Sequence, residues 1–548
     1  MTSRILFSGL LVNAIVSSSV AHHDDQPPAP MRVAVVSTTG PAAIRAGVRA
    51  MRDGGTAADA VLTTALAQIV LAGGSWISYA GRMTMVYYEA ETGSVYAMNA
   101  CYDAPLEEDD PLSIPRPGTP SGRTVLVPGF MAGVQKMHDR LGSLPFEHLF
   151  APAIELAQEG FVLDHGMGHL IRNRENVLRR LPDTRIIFVK ENGNLYKAGD
   201  LFRQPVLAET LRQVAKHGAA YMYTGAWAKH FVEVVQSEGG KITVKDLERY
   251  EVRWGQPLRT RFREYEICGM PPPNRAGSMC AMALGLLERA DLRKRGNIHE
   301  FGQSLHDLIQ ISRVSGMITN ERGRARLNEL VPQADLSPNR VFSDETIDAI
   351  WRFLSSETQK TGGEENGHSS EHSDGVVAID ARGNVAAILH TINTGGWGTT
   401  GIFVDGVSIP DSAAHQQQPI LAVGPGGRIP DHGPPTIVLR NGKPVLAGSA
   451  TGSGNVHANW QSIYNVLEFS MSPQEAVDAP KVYGGTVQEN HFDAEVVEAA
   501  RSFGANLTVV ERFAGNRLGF WVGLRIDPVT GEVTPGKIRM LNGIADGY

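Results

Sequence analysis

The net charge of −7 on this chain of 548 residues argues against the electrostatic footprint of nucleic-acid binding. Its 42% hydrophobic content fits a globular protein with ample core, in several domains or one large layered one. Cys101, Cys268 and Cys280 are too few for a disulfide framework and form no Cys-x-x-Cys zinc pair, although one bridge stays open.

At the N-terminus, Arg4 precedes an apolar run, 5–16, and Ser19-Val20-Ala21 supply small residues where a signal peptidase cuts. Residues 1–21 therefore read as a secretory signal peptide, and the product as secreted. No other stretch approaches the uninterrupted apolar length of a membrane span. Asn506-Leu507-Thr508 is the only glycosylation sequon, and it is expected within a strand.

Residues 31–38 are β-type. Pro41 opens a helix with Ile44, Val48 and Met51 on one face, stopped by Gly54-Gly55. Thr56 caps a second helix, 57 to about 71. Strands 84–88 and 94–99 follow, joined at Glu91-Thr92-Gly93. Pro145 starts a helix and Gly160 ends one. Residues 358–374 lack apolar periodicity and form the clearest linker. Strands 375–380 and 384–391 come next, joined by Ala381-Arg382-Gly383. Asn441-Gly442 predicts a hairpin between 436–439 and 445–447. A helix spans about 456–467, another opens on the capping box Ser472-Pro473-Gln474-Glu475, and 519–533 give a last hairpin. Strand pairs between helices predict a layered α+β fold.

Ser373 sits where the solvated linker enters a buried strand. If the backbone breaks before it, its own α-amine becomes a general base beside Oγ. The bland alternative is a loop serine solvating a strand end. Thr391 and Asn393, two apart, are expected on one face of one strand. His368-Ser369-Ser370-Glu371-His372 fits an inverted zinc-protease motif, but it lies in a run with no helical period and no third ligand. No Gly-x-Ser-x-Gly elbow occurs.

The stretch from 367 to 397 resembles the γ-glutamyltransferase (glutathione hydrolase) family of N-terminal-nucleophile hydrolases. Small subunits of that family begin Thr-Thr-His-x-Ser-Val-Val-Asp-x-x-Gly-Asn. Counting back without a gap from Asp380-x-x-Gly383-Asn384, the family's nucleophile falls on Ser373. Counting forward, its Thr and Asn fall on Thr391 and Asn393. The resemblance continues over nearly everything after residue 32. Gly54-Gly55-Thr56-Ala57-Ala58-Asp59-Ala60, Val127-Pro128-Gly129, Pro152 to Phe161 and Met270-Pro271-Pro272-Pro273 all match in order. After the prolines this chain has Asn274-Arg275-Ala276-Gly277 where the family has Ser-Ser-Gly-Gly.

The resemblance implies an αββα sandwich without metal or organic cofactor. Cleavage between His372 and Ser373 would divide a large-subunit region, 22–372, from a small-subunit region, 373–548, leaving a heterodimer of the chain's own fragments. The substrate would be a small amide or peptide, cleaved through an acyl-enzyme on Ser373. Gly448-Ser449-Ala450-Thr451-Gly452-Ser453 resembles the family's oxyanion loop, with Thr451 and Gly452 supplying the N–H donors. The glutamate-gripping positions depart. Cys101 stands for the family's Arg, and Asp431-His432 stand for its Ser-Ser pair. No clear amine-binding Asp occurs near Ile409-Pro410-Asp411-Ser412. Arg82 is a candidate replacement for the clamp. These departures predict an acyl pocket that prefers a neutral or cationic head. They also leave open a non-catalytic scaffold of the same fold.

Overall fold

The computed structural model describes residues 31–296, 299–337, 340–356, 373–488, 491–510, 518–538 and 543–548. The expected signal peptide, most of the linker and the His368–His372 motif lie outside these residues.

The hairpin after residue 373 is present. Strand Asp374–Ile379 pairs antiparallel with Val385–Thr391, Ile379 opposite Val385 and Asp374 opposite His390. Asp380 closes its turn. One carboxylate oxygen accepts from the N–H groups of Arg382 (2.9 Å) and Asn384 (3.0 Å). The other accepts from the Asn384 side chain (2.8 Å) and from the N–H of Ala57 (2.9 Å). Gly383 takes φ +86°, a conformation open to glycine without strain. The Asp-x-x-Gly-Asn pattern thus both closes a hairpin and docks it on helix Ala57–Leu71.

That hairpin is central to a seven-stranded sheet. The strand order is Ala545–Gly547, Ala34–Ser37, Asp374–Ile379, Val385–Thr391, Arg82–Glu89, Ser94–Ala100, Arg253–Gly255. A second sheet of six runs Val533–Gly536, Phe520–Ile526, Lys443–Thr451, Thr436–Arg440, Tyr265–Gly269, Leu258–Phe262. Alternation sets the layers. Val377, Ile379, Val86 and Ala387 bury against Ile437, Leu439, Ala447 and Val522, filling the space between the sheets. Val376, Ala378, Met85 and Ile388 point the other way, into helices Pro41–Arg52, Ala57–Leu71 and Phe146–Glu159. Val438, Leu446 and Trp521 do the same toward helices Ala276–Ala290 and Asn455–Phe469. The result is helix, sheet, sheet, helix. A slip of one residue would exchange the two faces of a strand, and fully burying each Val or Ile contributes about 1.5–3 kcal/mol, so the register is firmly held.

The capping box at Ser472 and Glu475 is formed, and Asn441 and Gly442 take φ +52° and +74° in their hairpin. Three expectations are revised. The strand expected at 445–447 runs Lys443–Thr451 and carries the oxyanion candidate into the sheet. Asn393 is not on a strand: its strand ends at Thr391, and Asn393 follows with φ +62°, a region asparagine tolerates better than most residues. Asn506 precedes strand Thr508–Val510 and is exposed. The three cysteines are buried and free. Among the described residues no helix is long and apolar enough to cross a membrane.

Candidate active site

Strand parity brings the chosen residues together. Residues 373, 391, 82 and 101 share the parity of Val377, Ala387, Val86 and Ala97, which face the second sheet. Thr391 is paired with Arg82. The 374–390 register, carried one residue further, sets Ser373 opposite Thr391. The 83–100 register, extended likewise, sets Cys101 opposite Arg82. Ser373, Thr391, Arg82 and Cys101 therefore form one row across the rim of the first sheet, at neighbour spacing of about 5 Å.

Ser373 is half-buried, and the residue after it is anchored. Asp374 is fully buried, and its carboxylate accepts from Thr38 Oγ1 (2.7 Å), Thr39 Oγ1 (2.8 Å) and the Trp76 indole (3.2 Å). Thr38 Oγ1 in turn accepts from Gly375 N–H at 3.1 Å. Burial pushes the Asp374 carboxyl up to about 6, against the pull of those donors. Behind it, Gln68 donates to Thr39 O (2.9 Å) and meets His390 Nε2 (3.1 Å). Burial, then Arg82, push the His390 imidazole down to about 3. It is neutral and packs on the helix side of the sheet.

The second sheet closes over this row. A Cβ on Gly375 would lie 2.9 Å from Ser449 Oγ and 3.0 Å from its Cβ, so only glycine permits this approach. Thr451 ends its strand opposite Phe520, and Gly452 follows with φ +85°. The positive φ needed to turn the chain thus falls on glycine, and threonine keeps an extended backbone.

The head-group positions behave differently from the reading of the sequence. Arg82 and Asp431, each 2% exposed, form a two-contact ion pair, Nη2–Oδ1 2.5 Å and Nη1–Oδ2 2.6 Å. Arg82 Nη2 also donates to Asn393 Oδ1 at 3.1 Å, and Asn393 N–H donates to Thr391 Oγ1 at 3.0 Å. Asp431 further accepts from Gly433 N–H (2.8 Å) and the Asn274 side chain (3.3 Å). Although burial opposes it, Arg82, then His432 and the backbone N–H groups of Gly433 and His432, hold the Asp431 carboxyl below its usual range. The repulsion expected from Asp431 toward an anionic head is therefore largely cancelled by Arg82, whose guanidinium is already engaged. Burial, then Asp431, push the Cys101 thiol up, so it stays neutral. Arg428, also by Cys101, is held by Asp103 (2.5 Å), Asn99 O (2.9 Å) and Glu251 O (2.7 Å). His432 is half-buried beside Asp431. No group of three or more metal-ligating side chains occurs among the described residues.

The row can present a hydroxyl to a carbonyl beneath backbone amides, which is the chemistry of acyl transfer. The family model for gamma-glutamyltranspeptidase matches residues 43–522. The chain belongs to this family. Glutathione hydrolase 2 of Arabidopsis thaliana is 29% identical over 461 residues, 80% of this chain and 78% of that one. The Acylase ACY 1 proenzyme of Pseudomonas sp. (strain SE83) is 27% identical over 511 residues, 88% of each. The crystal structure of cephalosporin acylase from Bacillus halodurans superposes with a TM-score of 0.81 at 21% identity, covering 99% of both chains. The αββα fold is that of this family, and the chain is an N-terminal-nucleophile amidohydrolase. A non-catalytic scaffold and a zinc protease are not favoured.

As a member of the gamma-glutamyltranspeptidase family, the chain keeps the sequence-chosen Ser373, Thr391 and Asn393 at one rim, with Ser449 to Gly452 over them. Sequence reasoning missed Asp374, Thr38 and Thr39 as the anchor of Ser373, and Asn274 as a partner of Asp431. The Asn274-Arg275 departure was the one visible signal for the latter.

Proposed function

We propose that the chain cuts itself between His372 and Ser373 and then hydrolyses or transfers the acyl group of a small amide. In the first step Ser373 Oγ attacks the His372 carbonyl carbon. The peptide C–N bond breaks, its nitrogen takes the hydroxyl proton, and an ester remains that water hydrolyses. Ser373 then carries a free α-amine. In turnover that amine takes the Oγ proton as Oγ attacks the substrate carbonyl, and passes it to the departing amine. Water or an acceptor amine releases the acyl group. Thr451 and Gly452 N–H groups would hold the oxyanion, and Thr391 and Asn393 would orient the nucleophile.

The observation that carries this reading is the single row of Ser373 and Thr391 beneath Ser449–Gly452, tight enough that residue 375 must be glycine. The acyl head is read as altered, because Cys101 cannot grip a carboxylate and Arg82 is tied to Asp431. Relatives bearing both glutathione hydrolase and acylase names fit a scaffold whose acyl pocket varies. The run after Arg4 supports export, and exposed Asn506 would then be open to glycosylation. Mass spectrometry and N-terminal sequencing test the cut: the small fragment should begin Ser-Asp-Gly-Val-Val, and Ser373→Ala should leave one intact folded chain. A different stable terminus, or cutting in Ser373→Ala, would overturn the assignment.

A further inference from the structure

Helix Ala276–Ala290 begins beside the Asp431 wall of the site, with Arg275 as its N-cap. Arg275 donates its backbone N–H to Asp431 O at 2.7 Å. Asn274, before it, is buried; its amide reaches Asp431 Oδ2 (3.3 Å) and Gly433 O (3.2 Å), and its Oδ1 accepts from Ala276 N–H (2.8 Å). The backbone at 275 is therefore fixed to the wall on both sides.

The guanidinium has no such bonds among the described residues. Arg275 is half-buried, and among the described residues its side chain makes no hydrogen bond or ion pair. This contrasts with Arg82 and Arg428, which are more deeply buried and each ion-paired with a carboxylate. Desolvation lowers the Arg275 pKa; Asp431 opposes this and Arg324 adds to it. Among the described residues Asp431 is the one acid acting on it, and its charge is already balanced by Arg82 at 2.5 and 2.6 Å. The first turn of the helix carries no acidic side chain, so the positive end of its dipole adds to the same potential. A cation that has lost part of its water without gaining an anion gains most from one brought by a ligand, because a charge-assisted hydrogen bond then replaces a deficit.

We propose that Arg275 receives an anionic group, first of all a carboxylate, carried by the substrate of this site, and so determines which amides are turned over fastest. This rests on the amidohydrolase reading above. It replaces the expectation of a neutral or cationic head with that of an anion held from a different wall than residue 101. A carboxylate could reach Arg275 from the acyl chain or from the departing amine, and the chemistry at the guanidinium is the same.

Processed wild type, Arg275→Gln and Arg275→Lys should be assayed on three matched amides: a neutral one, one with a carboxylate on the acyl chain, and one with a carboxylate on the amine. Wild type should prefer one carboxylate member over the neutral amide, and that member tells which side reaches Arg275. The preference in kcat/KM should shrink at least tenfold in Arg275→Gln and survive in part in Arg275→Lys. A preference unchanged within twofold in Arg275→Gln, or none in wild type, would overturn the proposal. Calorimetric binding of the product acids and amines to the same proteins separates the two readings. Arg275-dependent affinity without turnover sinks the reaction and keeps the anion site. Turnover with affinity independent of Arg275 does the reverse.

Discussion

Replacing Arg82 by methionine tests whether this guanidinium serves the protein or the substrate. The change leaves Asp431, 2% exposed, with Gly433 N–H at 2.8 Å and Asn274 at 3.3 Å but without its counter-ion. Breaking one side of a buried pair costs about 3–5 kcal/mol. In urea this moves the unfolding midpoint by on the order of 1 M. Arg82 helps hold the Asp431 carboxyl low in the folded wild type, so the pair's contribution is present above the unfolded carboxylate pKa and is lost as pH falls through the folded value. In Arg82→Met the carboxyl pKa climbs, so the variant's deficit should be largest at pH 7.5 and narrow toward pH 5. The uncut Ser373→Ala background keeps unfolding unimolecular, and tryptophan fluorescence reads the midpoint. The double variant Arg82→Met/Asp431→Leu should recover most of the loss, because apolar replacement of a whole buried pair is close to neutral. If Arg82→Met stays within about 1 kcal/mol of its parent while KM for an anionic amide rises, Arg82 is the substrate's clamp and the reasoning fails.

Asp374 titrates near 6 when folded because of burial. Between about pH 4 and 6 the native state therefore holds a proton that the unfolded chain releases, and stability falls as pH rises through that window. Asp374→Asn should flatten this slope in urea midpoints taken at pH 4.5 and 7; parallel slopes would refute it. Gly375→Ala would press a methyl against Ser449, an overpacking of about 1–3 kcal/mol. It should slow self-cleavage on a time-course gel, with partial relief in Gly375→Ala/Ser449→Ala; normal cutting would contradict the close approach. Asp380→Ala strips four hydrogen bonds, one of them to the first turn of helix Ala57–Leu71. It should cost at least ~3 kcal/mol, read as a lower thermal midpoint; an unchanged midpoint would mean the hairpin holds without its carboxylate.

What is local was legible in the sequence. Ser472 with Glu475, Asn441-Gly442 and the Asp380-Gly383-Asn384 turn are settled by neighbours a few residues apart, and the structure keeps each. Unbroken registers from Asp380 carried Ser373 and Thr391 to the same rim. What failed was long-range or conformational. Arg82 and Asp431 lie 349 residues apart, and no periodicity records that they meet. A spacing of two put Asn393 on a strand, but its left-handed backbone ends that pattern. Arg275 stood out as a departure, yet its lack of a partner depends on Asp431 being claimed elsewhere.

The first sheet interleaves the two halves of the chain. Ala545–Gly547, Asp374–Ile379 and Val385–Thr391 come from after residue 373; Ala34–Ser37, Arg82–Glu89, Ser94–Ala100 and Arg253–Gly255 come from before it. Ala34–Ser37 is clasped on both edges by strands of the later half. Once cut, neither piece can leave without tearing out ladders on both sides of itself, so the halves do not exchange between molecules while folded. Unfolding is another matter. An uncut chain can return to its fold as one molecule, whereas two cut pieces would have to find each other by collision, at a rate set by concentration. Cleavage at the proposed site would thus turn a fold recoverable within one chain into one whose lifetime is governed by how slowly it first opens.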